Sequence, residues 1–435
     1  MKKKLGGISL PRLENTAVLA PEVIPMPSEV KLPMSMHAGL PANPVVAAGD
    51  YVKAGQLIAE AAGAGSSPVH ASISGKVKSI DNYDGLTGEK TVSVTIVSDD
   101  TQAANGDNAD KETSPPRITN QAEFLEAVRN SGVIGLGGCG VPTADKLNSG
   151  GIDYILVNGM ECEPFISSDT RTMLDDAEYL REGISLMKEH LKPKNLIICI
   201  GDNKPEPAQK MKELFRDKPG IEVRVLPSFY PYGEENLLAF IVTGRRRPQG
   251  GSLSDAGCIV VNCSTVAAFT RYIKTGRPLI SKCVTVAGSA VNNPKNVIAP
   301  IGTPLRLLFD YCGGLKDDVK KIILGGPVRG TAVPSLDMPV LKTTNVVLAF
   351  SQKDASTPEP SACIKCARCI DVCPMGLMPS SIETAFELKK TANLKDYNAG
   401  NCIECGCCAY TCPAKRPLTQ VMNLSKKMLL GHKEA

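Results

Sequence analysis

Two cysteine runs of identical spacing, near the end of the chain, constrain its fold more than any other feature. Each run is Cys-x2-Cys-x2-Cys-x3-Cys-Pro, starting at Cys363 and at Cys402. This is the spacing of [4Fe–4S] ligands, because two-residue gaps wrap a tight backbone loop around one cluster. The fourth cysteine of such a run ligates the cluster of the other run. The predicted ligand sets are Cys363, Cys366, Cys369 and Cys412 for one cluster, and Cys373, Cys402, Cys405 and Cys408 for the other.

Zinc is the alternative ligand for such runs. Structural zinc sites usually pair two Cys-x2–4-Cys knuckles and often include histidine. Here each run offers three cysteines at two-residue gaps, and no histidine lies between Cys363 and Cys412. The pattern therefore favours iron–sulfur clusters. Cys407 is interpreted as a packing residue, and the residues between the runs look helical, as in a ferredoxin-type domain.

Composition excludes several other classes of protein. The chain has 435 residues and sixteen cysteines, but no signal-peptide pattern at its basic start, which favours metal binding over a disulfide scaffold. The sequence contains no run of about 18 uncharged apolar residues, so no transmembrane helix is predicted. The charge is balanced, with 49 basic and 45 acidic residues, and aromatic residues make up only 4% with no tryptophan. Nucleic acid is therefore not an expected partner.

The pattern of apolar residues divides the chain into units. Short apolar stretches separated by glycine turns predict β structure first, and a later alternation of strands and helices predicts a parallel sheet with helical crossovers. Between them lies a polar stretch without periodicity. The predicted boundaries are a β domain at 1–98, a linker at 99–116, an α/β domain at 117–275, a short α+β domain at 276–345, a second linker at 346–358, the cysteine-rich domain at 359–425 and a tail at 426–435.

A glycine-rich loop opens the α/β domain. It follows an apolar stretch, precedes a predicted helix, and contains Gly135, Gly137, Gly138, Gly140 and Lys146. Glycines let backbone N–H groups approach a phosphate closely, and a helix N-terminus and a lysine add positive potential. A tight structural turn would account for the same glycines, so both interpretations stay open on this loop alone.

Three further motifs follow predicted strands, where open α/β sheets bind ligands. They begin at Asn158 (Asn-Gly-Met-Glu-Cys-Glu-Pro), Tyr230 (Tyr-Pro-Tyr-Gly-Glu-Glu-Asn) and Asn262 (Asn-Cys-Ser-Thr). Together with the glycine loop, over about 117–265, they resemble the NADH-oxidising, FMN-carrying subunit of respiratory complex I. The resemblance continues through an SLBB-like stretch at 285–294.

The N-terminal domain resembles the biotinyl/lipoyl barrel-sandwich fold. Carrier domains place a modifiable lysine at a hairpin tip, but the tip here, residues 60–68, contains none. We therefore expect a structural or docking module. From end to end, the chain resembles the C subunits of Rnf electron-transport complexes. The implied fold class is multidomain α/β: a β barrel-sandwich domain, a Rossmann-like FMN domain of the complex I type, a β-grasp-like SLBB domain and a helical two-[4Fe–4S] ferredoxin domain.

This resemblance implies cofactors and site residues. FMN would contact the glycine loop with Lys146 and the strand-end residues, while Glu163 and Glu235 would face NADH, the substrate, as catalytic residues. The implied strand-end contacts are Asn158, Glu161, Glu163, Gly233, Glu234, Glu235, Asn262 and Thr265. A helix cap or a surface charge would equally explain Glu234 taken alone.

The resemblance also implies partners and a location. It predicts a peripheral subunit on the cytoplasmic side of the cell membrane, with other Rnf subunits as partners, NAD(H) as substrate and ferredoxin as an indirect partner. The complex would couple NADH:ferredoxin electron transfer to Na⁺ or H⁺ translocation. Two alternatives remain: a soluble cobalamin-reductase-like protein, and a noncatalytic electron conduit. Val141, Met160 and Val261 depart from the complex I motifs, and Val141 and Met160 motivate the conduit.

Overall fold

The computed structural model describes residues 5–86, 88, 90–99, 114–248 and 250–431. Most of the predicted linker at 99–116, namely residues 100–113, lies outside the described residues. Two β-rich units flank a central α/β domain, and a helical module carries the two cysteine runs. Among the helices of the described ranges, none combines the length and the apolar character needed to cross a membrane.

The N-terminal domain is built from short antiparallel strands in two sheets, ordered β2-β8-β7-β4 and β3-β5-β6. Apolar and polar residues alternate along them, so that Val77 is buried between exposed Lys76 and Lys78. The strands are β2 (Glu29–Pro33), β3 (Asn43–Pro44), β4 (Tyr51–Val52), β5 (Leu57–Glu60), β6 (Val69–His70), β7 (Gly75–Asp84) and β8 (Lys90–Ser98), and a preceding strand, β1 (Glu22–Val23), belongs to another sheet.

The first residues of the predicted 1–98 domain pack on other parts of the molecule. Ile8 exchanges two backbone hydrogen bonds with Tyr230 of the central domain, at 2.8 and 3.0 Å. Strand β1 pairs in parallel with a strand of the third domain, Glu22 opposite Val297. The N-terminal segment lacks an alternating pattern long enough for a strand of its own sheet, and backbone pairing with these neighbours holds it instead.

The central domain has a parallel sheet of order β11-β10-β9-β12 between helices. Three of its strands are apolar runs buried from both sides, as expected for parallel strands covered by crossovers, whereas the edge strand β11 alternates apolar residues with Glu222 and Arg224 and is only partly buried. Asn158 and Asn262 lie side by side at the carboxyl ends of β9 and β12. The elements are α1 (Gln121–Asn130), α2 (Thr143–Leu147), β9 (Tyr154–Gly159), α3 (Ser168–Asp175), α4 (Ala177–Leu191), β10 (Asn195–Gly201), α5 (Pro205–Leu214), β11 (Ile221–Leu226), α6 (Glu235–Thr243), a 3₁₀ turn (Ser254–Ala256), β12 (Cys258–Asn262) and α7 (Cys263–Thr275).

The third domain is a mixed sheet, ordered β1-β14-β13-β17-β15-β16, with one helix packed on it. Its elements are β13 (Ser281–Ala287), β14 (Lys295–Pro300), α8 (Leu305–Tyr311), β15 (Val319–Leu324), β16 (Thr331–Ala332) and β17 (Val346–Ser351). Strand β17 occupies the first part of the predicted linker at 346–358. Because it carries the apolar run Val-Val-Leu-Ala-Phe, it lies between two other strands, and its first four residues are fully buried. The linker therefore begins only after this strand.

The cysteine module repeats one pattern twice. Each run contains a short helix before its Cys-Pro pair, and a longer helix follows that pair. The helices are α9 (Arg368–Asp371), α10 (Pro379–Glu387), α11 (Thr391–Asp396), a 3₁₀ turn (Ala399–Asn401), α12 (Cys407–Tyr410) and α13 (Leu418–Gly431). Helix α13 continues through the predicted boundary at 425, where Met422 and Ser425 are buried.

Candidate functional site

A cavity of about 710 Å³ lies where the first three domains meet. Its volume is in the range of small-molecule and cofactor sites, roughly 300–1,000 Å³. Of the residues implied by the resemblance, all but Glu161 line this cavity. They are Gly135, Gly137, Gly138, Gly140, Lys146, Asn158, Glu163, Gly233, Glu234, Glu235, Asn262 and Thr265.

The glycine loop is a closed turn at one wall of the cavity. The Gly135 N–H donates to the Val141 carbonyl at 2.8 Å, and the Gly140 N–H donates to the Gly135 carbonyl at 3.1 Å. Gly138 has a φ of +104°, which disfavours any side chain. A Cβ on Gly137 would lie 3.1 Å from the Asn262 amide nitrogen. The backbone conformation therefore favours glycine where the loop bends, and a side chain where the loop crosses the end of β12 would need Asn262 to shift.

Asn262, at the end of β12, and Thr265, in the first turn of α7, lie next to the glycine loop. The buried Thr265 hydroxyl accepts a hydrogen bond from the Leu136 N–H at 2.9 Å. Asn262 caps α7, since its Oδ1 accepts from the Thr265 N–H at 3.2 Å. The Asn262 Nδ2 donates to Asp169 Oδ2 at 2.7 Å. Both residues therefore line the cavity and also position its glycine loop.

Asn158 and Glu234 shape a second edge of the cavity. The Asn158 Nδ2 donates to the Gly233 carbonyl at 2.8 Å. Glu234 is the N-cap of α6 and accepts from the Asn236 and Leu237 N–H groups at 3.0 and 3.1 Å. The Glu234 carboxylate therefore caps α6, as the helix-cap interpretation predicts.

Lys146 and Glu235 form an ion pair at the cavity. Lys146 lies in the short helix after the glycine loop, and Glu235 is the first residue of α6. Both side chains are partly buried, so the pair is only partly screened by solvent. The positive charge expected for phosphate binding is therefore shared with a carboxylate on the opposite wall.

Glu161 points away from the cavity into a buried polar network. Its carboxylate lies 2.9 Å from the Lys204 ammonium, and the two side chains are only 2% and 4% exposed. It also accepts from the Asp169 and Thr170 N–H groups, at 2.7 and 3.2 Å. Because the Glu161 backbone is left-handed, with φ of +38°, the chain turns there and Glu163, two residues on, reaches the cavity instead.

Burial changes the pKa values in this network. Burial, followed by the nearby Glu161 carboxylate, raises the pKa of Asp169 to about 6. Burial is the largest single influence on the pKa of Lys204 and would lower it, but the charge and hydrogen bond of Glu161 together with the charges of Glu14 and Asp169 raise it overall. The lysine ammonium is therefore held charged in the interior by its carboxylate partners.

Glu163 connects the central domain to a loop of the third domain, residues 325–330. Its Oε2 accepts from the Val328 and Arg329 N–H groups, at 3.0 and 3.3 Å. Burial raises the pKa of Glu163, while these two hydrogen bonds oppose the rise. A Cβ on Gly326 would overlap the Glu163 carboxylate. The carboxylate thus holds this loop against the cavity.

Sequence reasoning missed two walls of the cavity. One wall comes from the third domain and consists of Gly325, Gly326, Arg329 and Gly330. The sequence signal at this wall is a Gly-Gly-Pro after a predicted strand. His37 and Ala38 of the N-terminal domain line another, and the Ala38 N–H donates to the Gly140 carbonyl at 2.9 Å. No local motif marks these two residues.

The eight predicted cluster cysteines surround two small cavities in the cysteine module. One is lined by Cys363, Cys366, Cys369 and Cys412, and the other by Cys373, Cys402, Cys405 and Cys408. Backbone N–H groups of Leu377 and Glu404 donate to the Cys373 and Cys402 sulfurs, both at 3.3 Å. Across the described part of the chain, no three His, Cys, Asp or Glu side chains lie close enough to hold a single metal ion. Each predicted set of four cysteines therefore lines one cavity.

The second of these cavities lies against the wall of the larger one. The Tyr230 hydroxyl of the central domain donates to the Cys405 carbonyl at 2.7 Å. A Cβ on Gly406 would contact Val328 of the 325–330 loop at 2.9 Å. Cys363 and Cys366 of the other set are exposed. The Cys373, Cys402, Cys405 and Cys408 set thus adjoins the loop that lines the large cavity, and the other set includes surface-exposed cysteines.

Comparison with known proteins assigns the same four units. Family models match in order: the RnfC barrel sandwich hybrid domain at residues 3–101, the Nuo51 FMN-binding domain at 128–271, the SLBB domain at 283–332 and the 4Fe-4S dicluster domain at 362–415. The C subunit of the Na(+)-translocating ferredoxin:NAD(+) oxidoreductase complex of Acetobacterium woodii is 34% identical over 98% of this chain and 97% of its own length. The chain belongs to the RnfC family.

Two further relatives agree. The C subunit of the proton-translocating ferredoxin:NAD(+) oxidoreductase complex of Clostridium ljungdahlii is 36% identical over 86% of this chain and 83% of its own length. The C subunit of the ion-translocating oxidoreductase complex of Cronobacter sakazakii is 35% identical over 87% of this chain and 49% of its own, longer sequence. The predicted fold class and the predicted cofactor classes are therefore confirmed.

The cavity residues fit FMN. Thr143, at the start of α2, lines the cavity, and its buried hydroxyl has no hydrogen-bond partner among the described residues. A Cβ on Gly138 would meet no atom within 4 Å, so backbone is open to a ligand there. Lys146 supplies a cation on the same wall. A free hydroxyl, an open glycine backbone and a lysine together match a flavin's phosphate and ribityl oxygens.

Proposed function

We propose that this RnfC-family protein takes electrons from NADH at FMN and delivers them, through two [4Fe–4S] clusters, to the other proteins of an ion-translocating complex. Bound FMN supplies a hydride acceptor that can give up electrons singly, as each cluster requires. The relatives' names, which describe ferredoxin:NAD(+) oxidoreductase complexes coupled to proton or sodium movement, support this proposal.

One observation carries the proposal. The 325–330 loop lines the large cavity and also lies against Gly406. The Tyr230 hydroxyl donates a hydrogen bond to the Cys405 carbonyl. Ile8, Tyr230, Cys405 and Cys407 form one small apolar core between the two sites. Rigid packing of this kind keeps two redox sites at a fixed separation. It supports electron transfer from the large cavity to the nearer cluster.

In this proposal the site residues have distinct tasks. The glycine loop with Thr143 and Lys146 holds FMN, and Asn262 and Thr265 fix the loop's position. Glu235 balances the charge of Lys146, and Glu163 holds the third-domain wall beside the bound substrate. The cluster nearest to FMN takes Cys373, Cys402, Cys405 and Cys408, and the outer one takes Cys363, Cys366, Cys369 and Cys412.

The proposed partners follow from family membership. We infer that the chain binds other subunits of the complex at the cytoplasmic side of the membrane as a peripheral subunit, with ferredoxin as an indirect partner. The exposed Cys363 and Cys366 support exit of electrons through the outer cluster. Ile364 between them is 66% exposed and offers an apolar contact for a partner protein.

One alternative retains a specific observation in its favour. Glu163 and Glu235, the residues implied to face NADH, are already engaged, by two backbone N–H groups and by Lys146. A noncatalytic conduit would show such engagement because it needs no free carboxylate for a substrate. NADH oxidation by the isolated chain separates the two functions.

The experiment starts with anaerobic purification and quantification of iron, sulfide and flavin. About eight irons and one FMN per chain are expected from the two ligand sets and one flavin site. NADH is then added while flavin and cluster absorbance are followed. Bleaching of both supports the proposal. Full cofactor content with no response to NADH, in the isolated chain and in the assembled complex, would refute NADH entry at this subunit.

A further inference from the structure

The charged residues that line the large cavity leave one cation without a direct ion-pair partner. The acidic residues are Glu163, Glu234 and Glu235, and the basic ones are Lys146 and Arg329. Lys146 is paired with Glu235. Within the described residues, no carboxylate forms a direct ion pair with the exposed Arg329 side chain, although its charge favours the ionised forms of nearby Glu163 and Glu404. The cavity therefore presents a guanidinium without a direct ion-pair partner to whatever enters it.

The backbone around Arg329 is held in place by the central domain. Its N–H and that of Val328 both donate to Glu163 Oε2, and the Gly330 N–H donates to the Gly326 carbonyl at 2.8 Å. A Cβ on Gly330 would overlap that carbonyl, so the turn is tight. A fixed backbone beside an open cavity orients the side chain at little entropic cost on binding.

Arg329 lies on a different wall from the flavin-binding loop. The glycine loop and Lys146 belong to the central domain, whereas Arg329 comes from the third domain, beside the end of β9 where Glu163 lies. A planar guanidinium binds phosphate oxygens in a bidentate manner, and it keeps its charge at any physiological pH. The anion expected beside a bound flavin is the pyrophosphate of the second nucleotide.

We propose that Arg329 is the residue that binds the pyrophosphate of NAD(H), with the third domain acting as the substrate wall of the flavin site. This inference rests on the proposed function, since it assumes that NAD(H) enters the cavity. Glu163 is then a positioning residue, because it acts on the nucleotide through the loop that carries Arg329.

The test compares Arg329→Gln, Arg329→Lys and a control, Arg306→Gln, in the FMN-loaded protein. Arg306 belongs to the same domain, lies outside the cavity and pairs with Asp337 at the surface. Binding of NAD⁺ and of ADP-ribose to the oxidised protein is measured by calorimetry, and the KM and kcat for NADH are measured with an artificial acceptor.

For Arg329→Gln we expect NAD⁺ and ADP-ribose affinity to fall, and KM to rise, about tenfold or more, with kcat nearly unchanged. Arg329→Lys restores part of the affinity, and Arg306→Gln matches the wild type. FMN content stays at one per chain in all three variants.

Unchanged nucleotide affinity in Arg329→Gln would overturn the inference. So would loss of FMN with unchanged nucleotide affinity, which would assign Arg329 to the flavin phosphate. A shift in the midpoint potential of the nearer cluster without a change in KM would likewise overturn it. If the wild-type protein bound neither NAD⁺ nor ADP-ribose, the proposed function would fail first, and the inference would fall with it.

Discussion

The cysteine module and the cavity at the domain junction are built in opposite ways. Each cluster site draws three of its four cysteines from one stretch of seven residues, and the fourth comes from the other cysteine run. The residues that line the cavity belong to three domains, and some of them are about 300 positions apart in the chain. A site made by one local loop depends on spacing, whereas a site made at a junction depends on the contacts that hold domains together.

The largest expected effect tests the local site. Cys402→Ser should remove about four of the eight irons, because one missing thiolate opens a site whose ligands all come from two short loops. Cys407→Ala is the matched control, since Cys407 lines the same cavity but is assigned to packing. Iron and sulfide analysis of both variants measures the difference. Equal iron loss in Cys407→Ala would make this residue a ligand and contradict its assignment to packing.

The second prediction concerns the contacts that shape the junction. Lys204→Met leaves the Glu161 carboxylate buried without its cation and should destabilise the protein by about 3–5 kcal/mol. Lys194→Met breaks a solvent-screened surface pair with Asp153, which keeps Arg245 as a partner, and should change the stability far less. Urea unfolding of the protein, followed by its tyrosine fluorescence, compares them. Similar midpoints for the two variants would show that the Glu161 network does not support the fold.

A third prediction separates binding from scaffold within one cavity. Thr143→Val removes a hydroxyl that has no partner among the described residues, so the apoprotein should keep its stability while FMN affinity falls several-fold to about tenfold. Thr265→Val removes the acceptor of the Leu136 N–H and should lower the unfolding midpoint of the apoprotein. FMN titration and thermal melts distinguish them. Weaker FMN binding by Thr265→Val alone would reverse the two roles.

The smallest effect is a pH dependence at Asp169. Burial raises its pKa to about 6 in the folded protein, above the value of 3.8 expected when unfolded. Between these values the folded state binds more protons, so stability should fall as pH rises from about 4 to 6 and then level off. Asp169→Asn should remove this component of the slope. Identical pH profiles of unfolding for the two proteins would contradict the assignment.

The same contrast explains what the sequence could predict. Three of the four cysteines of each cluster site could be grouped from spacing because they share one short segment, and the fourth was assigned from the known two-cluster motif. Glu161 and Glu163 are two residues apart in one motif, yet only the left-handed backbone at Glu161 decides which one faces the cavity. The motif could not reveal that turn.

The remaining differences have a similar cause. Arg329 and His37 reach the cavity through packing between domains, which leaves no periodicity or spacing in the sequence. Strand β17 looked like the start of a linker because its partners β13 and β15 lie elsewhere in the chain. Long-range pairing of this kind is set by tertiary contacts.

The central claim is that electrons leave the large cavity through the cluster nearest to it. The most direct test is NADH reduction of Cys402→Ser and Cys366→Ser proteins under anaerobic conditions, with the remaining cluster followed by electron paramagnetic resonance. We predict that NADH rapidly reduces the remaining cluster in Cys366→Ser and fails to do so, or does so far more slowly, in Cys402→Ser. Rapid reduction of the remaining cluster in Cys402→Ser, with none in Cys366→Ser, would contradict the account.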